Sequence, residues 1–232
     1  AYVDHRGEET ELRVGDVIVT LKHSEGKAWA TYICGGRSAS FNTDPTKCGC
    51  GDGSWTAWDG TTPLTTGHYY LTRDITAPAG GWTLKNGTTY LRLDGHTISS
   101  NGRVFWAYTN ANLNVCDHEG TGKLIGSGVA GEAGGILRTS STAKVNFWNL
   151  EVISDATEAK ANNGGLISAY GKITMHNCTF TGGKSTASGG NVYIEGTFRA
   201  FDCTFEGGES GNNGGNFYIA GGLYLNNTTV SG

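Results

Sequence analysis

Four ten-residue stretches decide the fold: Val145–Ser154 (VNFWNLEVIS), Ile173–Gly182 (ITMHNCTFTG), Phe198–Gly207 (FRAFDCTFEG) and Leu223–Gly232 (LYLNNTTVSG). They superpose without gaps, and their starts lie 28, 25 and 25 residues apart. Leu91–Ser100 (LRLDGHTISS) shares the pattern. Leu113–Asp117 (LNVCD) begins another copy, which an insertion at His118–Gly122 interrupts, so six rungs are expected. Self-similarity at this period marks a solenoid, in which each unit buries its apolar face only against its neighbours.

The columns of this alignment have a physical meaning. Leu91, Leu113, Val145, Ile173, Phe198 and Leu223 fill the first position, and Leu93, Val115, Phe147, Met175, Ala200 and Leu225 the third. Alternation with period two is a strand with one buried face. The fifth position holds Gly95, Asp117, Asn149, Asn177, Asp202 and Asn227, the residue types that tolerate a left-handed backbone at a bend. After the bend, His96/Ile98, Leu150/Val152, Cys178/Phe180, Cys203/Phe205 and Thr228/Val230 form a second inward-facing strand. A third follows a double glycine at Gly134-Gly135, Gly164-Gly165, Gly189-Gly190 and Gly214-Gly215.

Three strands per coil of about 25 residues with no amphipathic helix predict an all-β chain that winds as a right-handed parallel β-helix over residues 61–232. A Greek-key sandwich is the rival, but it gives no reason for bends at equal spacing. Residues 1–60 read differently. Leu12–Lys22 (LRVGDVIVTLK) and Lys27–Ile33 (KAWATYI) alternate like two strands, so this segment is expected to be a cap or docking module.

On these motifs, residues 67–232 resemble the pectate-lyase-like superfamily of right-handed β-helices, most of all the noncatalytic repeats of bacterial and algal surface proteins. Tyr69–Ile75 (YYLTRDI) followed by Leu91–Ile98 (LRLDGHTI) is similar to their opening coils. Gly189–Tyr193 (GGNVY) and Gly214–Tyr218 (GGNFY) are similar to the Gly-Gly-Ala-Ile repeat of polymorphic outer-membrane proteins and adhesins, with Asn191 and Asn216 replacing a small apolar residue. The resemblance implies fold more than function.

Composition narrows the function classes. With 10% aromatic residues, 16% charged residues and no block of like charge, the chain is not disordered; 38 Gly without a period of three and only 3 Pro exclude collagen. A net charge of −4 gives no footprint for nucleic acid, and no apolar run has the length of a membrane-spanning helix. The chain begins at Ala1 without a basic-plus-apolar leader, and is read as processed or cut.

Six cysteines, Cys34, Cys48, Cys50, Cys116, Cys178 and Cys203, fit an oxidising compartment and disulfides. Cys34 is expected to pair with Cys48 or Cys50. Cys178 and Cys203 share a position on successive coils, where a disulfide competes with two stacked thiols. Cys48-Gly49-Cys50 lacks the gap of a zinc knuckle, so no metal is expected. Glycosylation acceptors occur at Asn86, Asn177, Asn226 and Asn227. Together these features predict a secreted or cell-surface glycoprotein.

Chemistry is harder to find. An enzyme of the resembled superfamily needs a carboxylate cluster, with calcium and an arginine base in lyases or paired carboxylates in hydrolases. Asn42-Thr43-Asp44 is similar to the first polygalacturonase tripeptide, but it precedes the coils and nothing completes it. His96 is expected to be a packed core histidine, and Asp117, His118 and Glu119 a solvated loop cluster open to a cation. Trp148 is expected at an outward or corner position, as the best stacking platform for a sugar.

No catalytic residue, cofactor or metal site is assigned. The last coil ends at Gly232 without a helix, charge cluster or proline to cover it, which leaves an open edge. The first expectation is therefore an extracellular structural protein, a β-helical subunit that associates head to tail with itself into a surface filament. Leu12, Val14 and Ile18 would lie at one end, with Leu223, Leu225, Thr228 and Val230 at the other. A glycan-binding adhesin is the alternative, and a polysaccharide lyase or hydrolase the second.

Overall fold

The computed structural model describes residues 10–14, 17–21, 55–117 and 119–232. Thr10–Val14 and Val17–Leu21 form an antiparallel hairpin within one compact unit, residues 1–31; the second unit is residues 32–232. In that second unit, three parallel sheets of eight, seven and six strands stack as a β-solenoid. The first sheet runs from Trp55–Ala57 to Gly222–Asn226, the second from Ile75–Ala77 to Thr229–Ser231, and the third from Trp82–Leu84 to Phe217–Ile219. The chain visits the three sheets in turn, so neighbouring strands are one coil apart. The all-β parallel solenoid expected from the repeat is what the chain forms.

Two strands of the first sheet escape the repeat pattern, Trp55–Ala57 and Gly67–Tyr70. The sheet thus has eight strands where six were expected, and its first falls inside the stretch 1–60 read as a cap. Between these two strands the chain makes a short return instead of a coil. Trp58 and Leu64 from that return are buried in the core, and the Trp58 indole N–H donates to the Thr62 carbonyl at 2.8 Å.

The register corrects one coil of the sequence alignment. Leu91, not Leu93, pairs with Val115, which in turn pairs with Phe147. Thr89 therefore occupies the first inward column beside Leu113 and Val145, and its hydroxyl donates to the Thr65 carbonyl at 2.8 Å. The cause is the corner. Residues 93–96 separate Gly87–Arg92 from Thr97–Ser100, whereas residues 149–150 alone separate Lys144–Trp148 from Glu151–Ser154. The longer corner turns Leu93 inward, where it is fully buried.

The double glycines have two separate causes. Gly164 and Gly189 adopt φ of 65° and 69°, the left-handed region glycine favours. Gly165 and Gly190 sit where coils touch: a Cβ on Gly190 would lie 2.0 Å from the Gly215 carbonyl oxygen. Next in sequence, Asn191 and Asn216 point inward as a polar ladder. The Asn191 amide donates to Asn216 Oδ1 and to the Glu206 carbonyl at 3.1 Å, while its oxygen accepts the Gly183 N–H at 2.9 Å. Fully bonded, these amides replace the small apolar residue of the resembled repeats without leaving an orphaned group.

Candidate functional site

Polar residues of the solenoid gather at the corner between the first and second sheets. Asn149, Asn177, Asp202 and Asn227 turn it with φ between 44° and 55°. Side chains link them along the rod: Asn149 Nδ2 donates to the Asp117 carbonyl at 2.8 Å, Asn177 Nδ2 to Asn149 Oδ1 at 2.6 Å, and Asn227 Nδ2 to Asp202 Oδ1 at 2.7 Å. Each amide offers both a donor and an acceptor, so the residue that tolerates the bend also ties it to the preceding coil.

Asp117 behaves differently from the solvated loop residue expected. It is fully buried, and its carboxylate accepts the N–H groups of Gly95 at 2.6 Å and of Thr121 and Gly122 at 2.9 Å. The inserted loop wraps around this carboxylate, whose bonds are spent on backbone. His118 lies outside the described residues. His96 also departs from expectation: the longer corner carries it outward, where a third of its side chain is exposed and Nδ1 lies 3.3 Å from Asp74 Oδ1. Among the described residues, no group of three or more His, Cys, Asp or Glu is placed to hold a metal ion.

Trp148 is not a sugar platform. Only 3% exposed, its ring lies parallel to that of His176 at 5.7 Å, and His176 stacks on Phe201 at 4.7 Å. A saccharide needs an open aromatic face, and here the neighbouring coil occupies it. Burial in this stack depresses the His176 pKa, partly opposed by the nearby Asp202 carboxylate.

The thiols of Cys178 and Cys203 are free and stacked, not bonded as a disulfide; each Sγ donates to the carbonyl two residues back, His176 at 3.1 Å and Phe201 at 3.2 Å. Burial pushes the Cys178 thiol up. Cys116 is also a buried free thiol, but it faces out of the first sheet. Cys34, Cys48, Cys50 and Asn42-Thr43-Asp44 lie outside the described residues. Of the glycosylation acceptors, Asn86, Asn177 and Asn227 are exposed at left-handed bends, while Asn226 is half-buried at a strand end.

An outward aromatic stripe on the third sheet went unnoticed in the sequence. Trp106, Arg138, Ser168, Tyr193 and Tyr218 follow one another in register. The Arg138 guanidinium lies 5.1 Å from the Trp106 ring, and Tyr193 and Tyr218 stack at 5.1 Å. Tyr108 and Tyr170 flank the stripe, touching Trp106 and Tyr193. The Tyr193 hydroxyl donates to Glu195 at 2.6 Å, which raises its pKa. The signal was present in the repeats: a tyrosine stands at the outward position of both Asn-Val-Tyr-Ile and Asn-Phe-Tyr-Ile.

At the last coil the inward columns come to the surface. Ile219 is 49% exposed, Leu225 37% and Val230 42%, with outward-facing Tyr224 at 52%. Their in-register predecessors Ile194, Ala200 and Phe205 are fully buried. The opposite end of the second and third sheets is covered: Ile75, Ala77 and Leu84 are buried beside Trp58 and Leu64. Leu12, Val14 and Ile18 belong to the hairpin, and their side chains lie outside the described residues.

No family model, no curated protein and no solved structure matches this chain. No helix of the described residues is long and apolar enough to cross a membrane.

Proposed function

We propose that the protein is an extracellular structural β-solenoid whose subunits associate end to end. The observation that carries this reading is the contact between coils: in all three sheets strand pairs with strand in register, as Val192 with Phe217, Phe198 with Leu223 and Phe205 with Val230. A coil of this kind is complementary to another coil, because coil-on-coil packing with strand pairing is the contact that builds the whole rod. The occupant is a second copy of the chain. The resemblance to noncatalytic surface repeats supports the assignment, as do the exposed asparagine acceptors and the even cysteine count.

Sedimentation velocity of the 232-residue chain across concentrations tests it. Self-association that Leu225→Arg with Val230→Lys abolishes is the expected result. A monomer at every concentration overturns the reading.

A second reading has its own observation, the stripe of Trp106, Tyr108, Arg138, Tyr170, Tyr193 and Tyr218 on the side of the rod. Aromatic rings interspersed with hydroxyl, guanidinium and carboxylate groups suit a saccharide. Glycan binding lost in Tyr108→Ala and Tyr193→Ala, with self-association absent, favours an adhesin.

A further inference from the structure

On the third sheet, two outward columns run side by side. Trp106, Arg138, Ser168 and Tyr193 follow one another in register, one strand apart. Tyr108, Ser140 and Tyr170 stand two residues beyond Trp106, Arg138 and Ser168, and the Ser140 N–H donates to the Ala107 carbonyl at 2.9 Å, which sets Ser140 beside Tyr108. Two ring pairs therefore flank a patch without rings. Trp106 meets Tyr108 edge-on at 5.2 Å, Tyr170 lies 6.1 Å from Tyr193, and Arg138, Ser140 and Ser168 stand between the pairs. Three strand spacings of about 4.8 Å separate Trp106 from Tyr193, about 14 Å in all.

All three residues between the rings have hydrogen-bonding capacity to spare. Ser168 is 0% exposed and Ser140 Oγ is buried, yet neither hydroxyl has a hydrogen-bond partner among the described residues. A buried hydroxyl left unpaired is costly, so two on one patch call for a partner. The Arg138 guanidinium rests on the Trp106 ring at 5.1 Å, and Glu132 Oε2 is 3.8 Å from it, too far for a hydrogen bond. Arg103 already holds that carboxylate at 2.8 Å.

Charge points the same way. Lys85 Nζ lies 5.5 Å from the Tyr108 ring, so Lys85, Arg103 and Arg138 outnumber Glu132 at this end of the stripe, while Glu195 at the other end accepts the Tyr193 hydroxyl. A cationic patch thus stands on a chain of net charge −4, and such a patch favours an anionic ligand.

We infer that this patch binds a sulfated glycan, with a sulfate ester on Arg138, Ser140 and Ser168 and sugar rings against the aromatic pairs on either side. The inference deepens the glycan-binding reading of the stripe and rests on it. A sulfate ester presents three terminal oxygens to three donors, one guanidinium and two hydroxyls. A carboxylate has two oxygens in one plane, which a guanidinium fork alone satisfies. The Arg138 side chain, 31% exposed and without a hydrogen bond to Glu132, turns onto the anion and opens the way to the two serines.

Titration calorimetry of the 232-residue chain with dextran sulfate, unsulfated dextran and polygalacturonate tests it. Dextran sulfate should bind about tenfold more tightly than the other two, and Arg138→Gln should lower its affinity about tenfold. Ser168→Ala removes a hydroxyl that has no partner in the unliganded chain, so Tm should hold while dextran sulfate binds more weakly. Unchanged binding in Ser168→Ala overturns the site. Equal losses in Arg138→Gln and in Lys172→Gln, which removes the same charge from the first sheet, overturn it as well, since any cation would then serve. Dextran or polygalacturonate bound as tightly as dextran sulfate, and lost in Tyr193→Ala, overturns this inference and keeps the glycan reading. Binding of none of the three, nor of any glycan on a printed array, overturns both.

Discussion

The coils that start at Lys172, Thr197 and Gly222 are near copies of one another, while those that start at Gly67, Gly87 and Ala111 are each individual. The spacing of the second inward column makes the contrast explicit: Tyr69, Leu91, Val115, Phe147, Met175, Ala200 and Leu225 are separated by 22, 24, 32, 28, 25 and 25 residues. In the regular coils, a polar side chain satisfies its neighbour one coil away, as in the pairs Asn177–Asn149 and Asn191–Asn216. In the irregular coils, one buried charged side chain organises a whole loop. Asp117 does this for the insertion that follows it. Arg103, 1% exposed, does it for residues 132–134, donating to the Gly134 and Ala133 carbonyls at 3.0 and 2.9 Å and to Glu132 at 2.8 Å. Regularity thus spreads the polar load along a ladder, and irregularity concentrates it on single residues.

The largest expected effect follows from that concentration. Asp117→Ala leaves three backbone N–H groups without their acceptor and should cost about 3–5 kcal/mol in denaturant unfolding. A loss under about 1 kcal/mol would break the comparison. Arg103→Met keeps the stem and removes the guanidinium, leaving two carbonyls unmet; about 2–4 kcal/mol is expected.

The Arg103 hydrogen bond holds the Glu132 carboxyl below its usual range. A depressed carboxylate contributes stability above its unfolded pKa and loses it as the pH falls through the folded value. The acid-induced drop in Tm should therefore be shallower in Arg103→Met than in the wild type. A ladder residue costs less. Asn191→Ala strands the Gly183 N–H and the Glu206 carbonyl, for about 1–3 kcal/mol, and Asn149→Ala puts an alanine at φ 55°, for about 1–2 kcal/mol.

The smallest effect is the sharpest in pH. His176 is depressed by burial, so its neutral form is the folded one. The stability this confers is present above the ordinary histidine value and is lost as the pH falls through the folded value. His176→Phe preserves the ring stack and should flatten the Tm profile below neutrality. An unchanged slope would assign it to other groups.

The same contrast explains what the sequence revealed. The regular coils were legible because apolar period, bend residue and double glycine recur together, from Phe147 through Leu225. In the coil at Leu91–Ser100 the first strand is two residues out of the expected register, because Asp94-Gly95 imitates an asparagine bend, while Ile98 stands in the column of Leu124 and Val152 as expected. Only the strand partners show that Leu93 turns inward and that Thr89, a polar residue, fills an apolar column. His96 was misplaced for the same reason. Asp117 was visible as a charged residue but not as a buried one, since its partners are backbone groups that no residue letter reports. Trp148 was misjudged because alternation says which way a side chain points, not whether its neighbours stack over it. The tyrosines at 193 and 218 were legible from period two alone, once the third strand was phased.

Negative-stain electron microscopy of the 232-residue chain at rising concentration tests the central claim most directly, that coil-on-coil packing continues from one subunit to the next. Rods that lengthen with concentration, and stay short in Leu225→Arg with Val230→Lys, are the predicted result. Rods of one subunit's length at every concentration, the same in wild type and variant, would contradict it.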